Sequence, residues 1–136
     1  MMTGRKILVV DDDPSIREIL SIQLTRLGYE VTTADDGLEA VTAFKAATPD
    51  VILMDLMMPR LDGLASCQQI RAVEKKTGAK RTPVLFLTAR DSTHDKTSAA
   101  LSGGDEFVAK PVSMQELRAR LAALFLNKGM ACTPRP

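Results

Sequence analysis

The chain has 136 residues, 18 basic and 17 acidic side chains and a formal charge of +1, which suits one domain with a sizeable core. So even a charge balance provides no global field for nucleic acid or an anionic membrane, and neither is expected as a direct partner. No apolar stretch reaches membrane-spanning length, Met1 to Lys6 leads into a strand without a secretory leader, and the two cysteines, Cys67 and Cys132, make no disulfide framework. These features together point to a reducing cytoplasm.

There is no Trp, one Tyr and four Phe, so aliphatic side chains must carry the core. Strands and helices alternate five times. Lys6 to Val10 is the first strand, an unbroken apolar run ending in Asp11-Asp12-Asp13. Pro14 to Leu27 is the first helix. Pro14 suits its first position, Gly28 its C-terminal cap, and Ile16, Ile19, Leu20, Leu24 and Leu27 fall at helical spacing. Glu30 to Thr33 is the second strand, and Leu38 to Ala47 the second helix, stopped by Thr48-Pro49. Asp50 to Met54 is the third strand, closed by Asp55. Asp62 or Gly63 opens the third helix, with Leu64, Cys67, Ile70, Arg71 and Val73 on its periodic positions. The stretch Glu74 to Arg81, with Lys75, Lys76, Lys80 and Arg81, reads as a solvated basic loop, with a docking patch as the alternative.

Pro83 to Leu87 is the fourth strand, and Asp91 to Leu101 the fourth helix, ending at Gly103-Gly104. Glu106 to Ala109 is the fifth strand. Ser113 to Leu126 is the fifth helix, with Ser113 and Glu116 spaced as a capping box. Asn127 onward reads as a short flexible tail, too short for an output domain. The domain is therefore expected over 5–127, with 128–136 as tail. Five βα units imply an α/β fold, a doubly wound parallel sheet with helices on both faces. Ligands of such sheets bind beyond the carboxyl ends of the strands.

Asp11, Asp12, Asp55, Thr88 and Lys110 all fall at those ends, so residues distant in sequence converge on one edge. A carboxylate closing a buried strand is costly unless something pairs with it. Mg²⁺ takes oxygen ligands, often one or two carboxylates with phosphate oxygens. Asp12 and Asp55 suit that role, with Asp11 acting directly or through water. Asp13 is accounted for separately as a helix start, where an acid meets the positive end of the helix. Lys110 can pair with Asp55 at rest or grip a phosphoryl oxygen. Lys110-Pro111 is a candidate cis peptide bond. Thr88 can donate to an anion, and small Ala89 leaves room for one.

The stretches 7–13, 51–59 with Asp62-Gly63, 87–89 and 104–111 together resemble the receiver domain of two-component response regulators. The resemblance spans about residues 5 to 127 in family order. It implies a flavodoxin-like fold with five parallel strands in the order 2-1-3-4-5. It implies that Asp55 accepts a phosphoryl group from a histidine kinase or phosphotransfer protein. It implies that Asp11, Asp12, Asp55 and the backbone carbonyl of Met57 hold Mg²⁺, for which Mn²⁺ can substitute. Thr88 and Lys110 would then bind phosphoryl oxygens. Phe107 would move inward, changing the face of the fourth helix, fifth strand and fifth helix toward an effector or output domain. Such proteins are signalling switches that catalyse only their own phosphorylation and dephosphorylation.

The chain departs from the family pattern at Phe107, where tyrosine is frequent, so no hydroxyl reports the ring position. Met57 and Arg90 occupy variable positions beside the site. Lys96, Glu116 and Arg120 partly match charges on the family's dimer face, which allows a homodimer there. His94 lacks the partners of a metal or catalytic residue. A hydrolase with an aspartyl nucleophile would carry an acid two residues after Asp55, where Met57 stands. A pseudo-receiver conflicts with the intact acidic set, and neither common glycine-rich nucleotide motif is present.

Overall fold

A computed structural model of the chain describes residues 5–56, 62–88, 106–109 and 113–130. In chain order these form β1 (Lys6–Val10), α1 (Pro14–Arg26), β2 (Glu30–Ala34), α2 (Gly37–Ala47), β3 (Val51–Asp55), α3 (Gly63–Thr77), β4 (Val84–Thr88), β5 (Glu106–Ala109) and α4 (Met114–Met130). The strands make one parallel sheet in the order β2-β1-β3-β4-β5. The doubly wound flavodoxin-like fold implied by the sequence is therefore the fold observed. The helix expected over Asp91 to Leu101 lies outside the described residues.

Alternation along each strand divides the core into two layers. Ile7, Val9, Leu53, Leu85 and Leu87 face one side, where Leu20 and Leu24 of α1 and Leu117, Leu121 and Phe125 of α4 cover them. Leu8, Val10, Ile52, Met54 and Phe86 face the other, against Val41 and Phe44 of α2 and Cys67 and Ile70 of α3. The central strands are apolar on both faces because both faces are covered. Cys67 is a buried core residue. No described helix is long and apolar enough to cross a membrane.

Short polar side chains start the helices. Asp13 caps α1 by accepting from the Ser15 and Ile16 amides at 2.9 and 3.4 Å. Asp36 caps α2 through the Glu39 amide at 2.8 Å, while Glu39 Oε1 reaches back to the Asp35 amide at 3.1 Å. Asp62 caps α3 through the Ala65 amide at 2.8 Å. Ser113 Oγ accepts from the Glu116 amide at 3.0 Å at the head of α4.

Several boundaries differ from the sequence pattern. α2 starts at Gly37 rather than Leu38, because Asp36 is its cap. The segment Glu74 to Arg81 is not all loop. Residues 74–77 are the last turn of α3, which ends at Gly78 in the left-handed region with φ 74°. Glu74 itself is buried. Its Oε1 accepts from Arg71 Nη1 at 2.9 Å and its Oε2 from the Thr82 amide at 2.6 Å. Arg71 Nη1 also donates to the Thr82 carbonyl at 2.7 Å, which ties the end of α3 to the approach to β4. α4 runs to Met130, so 128–130 is helical rather than tail.

Candidate functional site

Asp11 is the first residue beyond β1. Its amide donates to the Ala34 carbonyl at 3.2 Å, so it stays in register with β2. Its carboxylate is buried, and Oδ1 accepts from the Asp13 amide at 2.9 Å. Its carbonyl accepts from Arg17 Nη1, on the first turns of α1, at 2.6 Å. The acidic loop is thus fixed to the helix at two points. Asp13 points its side chain to the helix cap, so buried Asp11 and exposed Asp12 are the acids of the trio that lie with Asp55.

Asp55 is the last residue of β3, not the residue after it, and is paired with Leu87 of β4. Only 8% of it is exposed. The parallel register brings the end of β3 beside the end of β1, so one carboxylate oxygen from each of Asp11, Asp12 and Asp55 lies within 4.8 Å of the others. Three hard oxygen donors at this spacing fit Mg²⁺, which accepts carboxylates and completes its shell with water or phosphate. A buried carboxylate beside a divalent cation is also placed to act as a nucleophile toward phosphorus.

The amino end of α3 closes in on Asp55 from the far side. The Gly63 amide donates to the Leu56 carbonyl at 3.0 Å. A Cβ on Gly63 would overlap the Asp55 carbonyl oxygen and lie 3.1 Å from Leu56 Cα, so only glycine fits. Ser66, one turn on, donates its hydroxyl to the Gly37 carbonyl at 3.0 Å and links α3 to the start of α2.

Thr88 ends β4, paired with Ala109 of β5 and one step beyond the Asp55–Leu87 pair. Phe107 pairs with Phe86 and packs, half-buried, against the α2/α3 layer. Arg120 of α4 bonds Glu106 at 2.6 Å, which braces β5 against α4, and lies 3.6 Å from Glu116 on its own helix. Met57, Ala89, Arg90, His94, Lys96, Lys110 and Pro111 lie outside the described residues. Arg17 was not singled out by the sequence, because the reach of a long side chain over a helix's first turns leaves no periodic signal.

A family model described as the response regulator receiver domain matches residues 7–122. The chain is 43% identical over 129 residues to the probable transcriptional regulator ycf27 of Guillardia theta, covering 95% of this chain and 48% of that protein. It is 44% identical over 119 residues to the response regulator MprA of Mycobacterium avium, covering 88% of this chain and 50% of that protein. The chain thus spans about half the length of the curated relatives it matches. The solved structure of Vibrio cholerae chemotaxis protein CheY4 superposes with a TM-score of 0.80 at 36% identity, over 88% of this chain and 98% of that one.

Proposed function

The chain belongs to the response regulator receiver domain family, and from that premise we propose that Asp55 is its phosphoacceptor. Receiver domains of two-component systems are phosphorylation-driven signalling switches that bind Mg²⁺ at an acidic pocket. In our reading, an Asp55 oxygen attacks the phosphorus of a phosphohistidine on a partner kinase or phosphotransfer protein. A P–O bond forms, the P–N bond breaks, and the imidazole leaves with the electron pair.

Asp11, Asp12 and Asp55, with the carbonyl of Met57, would hold Mg²⁺, and Mn²⁺ could serve in its place. When bound, the cation neutralises charge on the transferring phosphoryl group. Thr88, the Ala89 amide and Lys110 receive the phosphoryl oxygens. Phe107 then repositions, and the face made by the helix expected over Asp91 to Leu101, β5 and α4 changes its population toward a form that a downstream effector or output domain reads. That surface also serves for homodimerisation. The whole process takes place in the cytoplasm, and the receiver unit spans 5–127.

The carrying observation is the Asp11–Asp12–Asp55 cluster within 4.8 Å at the carboxyl edge of the sheet. A pseudo-receiver has no use for such an arrangement. Incubation with Mg²⁺ and a small acyl phosphodonor, followed by intact-mass measurement, tests the reading. The chain should gain the mass of one phosphoryl group, and Asp55→Asn should gain none while keeping its circular dichroism spectrum. Stoichiometric labelling of Asp55→Asn would move the acceptor elsewhere.

A further inference from the structure

The acidic edge makes no use of the basic stretch that begins at Glu74. At the opposite edge of the sheet, where β3 and β4 begin, the carboxyl ends of α2 and α3 lie side by side. Between them is an open slot of about 390 Å³. Phe44, Val73 and Ala79 give it an apolar floor, and Lys45 and Lys76 stand at its margin. Lys75 and Lys80 are exposed close by in sequence.

Basic residues in the last turn of a helix answer the negative end of its dipole, and that accounts for some of this charge. Each helix end carries about half a negative charge, so the two ends offset about one of the four lysines. Carboxylates offset at most about one more. Glu74 is buried and engaged by Arg71 and the Thr82 amide, which leaves Asp50, whose carboxylate accepts from the Lys6 amide at 2.8 Å. About two positive charges remain around an apolar slot, on a chain whose net charge is only +1.

We propose that this slot docks an acidic segment of a partner protein, which inserts one large apolar side chain between carboxylates that meet Lys45 and Lys76. Complementary charge steers and orients the segment, while the apolar anchor supplies desolvation. The slot is on the edge of the sheet away from Asp55. A partner held there leaves the acidic cluster open to a phosphodonor, so docking and phosphoryl transfer can proceed together.

The probe is a synthetic peptide with one Phe flanked by glutamates, titrated into the ¹⁵N-labelled full chain. Two control peptides replace the Phe with Ser or the glutamates with lysines. Amide shifts should be confined to 44–48 and 73–80, with a Kd on the order of 10–100 μM. Affinity should fall about fivefold or more between about 50 and about 500 mM salt. Lys45→Glu with Lys76→Glu should weaken binding about tenfold or more, and both lysines are exposed, so the fold should persist. Ala79→Trp, which blocks the slot without changing charge, should also abolish the shifts. Labelling of Asp55 should be unchanged with the peptide bound.

Shifts on another face, equal binding of the control peptides, or full affinity in both variants would overturn the proposal. Tighter binding to phosphatidylserine vesicles than to the peptide would assign the slot to a membrane instead. Slot-dependent dimerisation in sedimentation velocity would assign it to a second copy of the chain.

Discussion

Gly63→Ala pits two effects of known sign against each other. Gly63 begins α3 and is not among the positive-φ residues, so alanine suits its backbone. Helix propensity and a less disordered unfolded chain together favour alanine by about 1 kcal/mol. Against this, the new methyl would overlap the Asp55 carbonyl oxygen and meet Asp55 C at 3.2 Å and Leu56 Cα at 3.1 Å. These are backbone atoms of a buried strand end and cannot rotate aside. Overpacking of this kind costs about 1–3 kcal/mol, and the rigidity of the neighbours puts it at the upper end. The net change is a loss of about 1–2 kcal/mol, or about 4–7 °C in Tm for a chain this size.

The part of the strain that a shift of α3 does not relieve displaces Asp55 relative to Asp11 and Asp12. If that part is about 0.7 kcal/mol, Mg²⁺ affinity falls about threefold. Thermal unfolding and Mg²⁺ titration measure the two effects. Gly78→Ala is the control, because nothing lies within 4 Å of its Cβ but its φ is 74°. It should lose about 1 kcal/mol to left-handed strain and leave Mg²⁺ affinity unchanged. A Gly63→Ala variant with undiminished Tm and Mg²⁺ affinity would refute the tight fit of α3 against Asp55.

Arg17→Met removes a cation near the acidic cluster, which alone would tighten Mg²⁺ binding. If the bond to the Asp11 carbonyl positions the loop, Mg²⁺ binding should instead weaken about tenfold, and isothermal titration gives the sign. Glu74→Ala should cost about 2–4 kcal/mol in chemical denaturation, since it takes the carboxylate from the mostly buried Arg71 and the acceptor from the Thr82 amide. Adding Arg71→Met should recover part of that loss; an additive double variant would mean the two residues do not act as a pair.

Burial raises the pKa of Tyr29, with Arg5 and Arg118 pulling it partly back. The folded state therefore holds the phenol proton more tightly than the unfolded chain. This stability is fully present below about pH 10 and is lost as pH rises through the raised folded value. Tyr29 is the chain's single tyrosine and there is no tryptophan, so phenolate absorbance reports it alone. Tyr29→Phe should lack this alkaline component in its stability profile.

The acidic edge was legible because charge at the end of an apolar run is a local anomaly, readable at Asp11 and Asp55 without knowing which strands are neighbours. The strand order was not, since five βα units fit more than one winding. It came from the resemblance. Local chemistry also placed Asp13 and Ser113 at helix starts. It failed at Asp36, one of two adjacent acids, where only the turn geometry decides which one caps. It failed at 74–77, where lysines serve a solvated helix turn as well as a loop. Contacts between distant segments left no pattern at all. The Ser66–Gly37 bond and the Glu74–Thr82 link follow from packing, and neither residue pair looks unusual in sequence. The apolar slot between α2 and α3 is legible only once both helix ends are placed.

The acidic edge gathers like charges in a fold stabilised by its apolar core. Asp11 and Asp55 are both buried, and their nearest carboxylate oxygens are no more than 4.8 Å apart. Two like charges at that distance repel by about 3 kcal/mol at an effective dielectric of about 20. The apolar layers on either side of the sheet hold them together regardless. Asp55→Asn keeps the shape and removes that repulsion along with the attractions of the carboxylate, so where the repulsion is the larger it should raise Tm without a divalent cation, by about 4 °C for about 1 kcal/mol recovered. Mg²⁺ should reverse the order. A cation that binds only the folded state stabilises it by about 2.7 kcal/mol at a hundredfold excess over Kd, and the variant has lost one of the three carboxylate ligands. The two melting curves should therefore exchange places as Mg²⁺ is added. If Asp55→Asn melts lower than the parent chain at every Mg²⁺ concentration, the attractions of the Asp55 carboxylate outweigh its repulsion from Asp11.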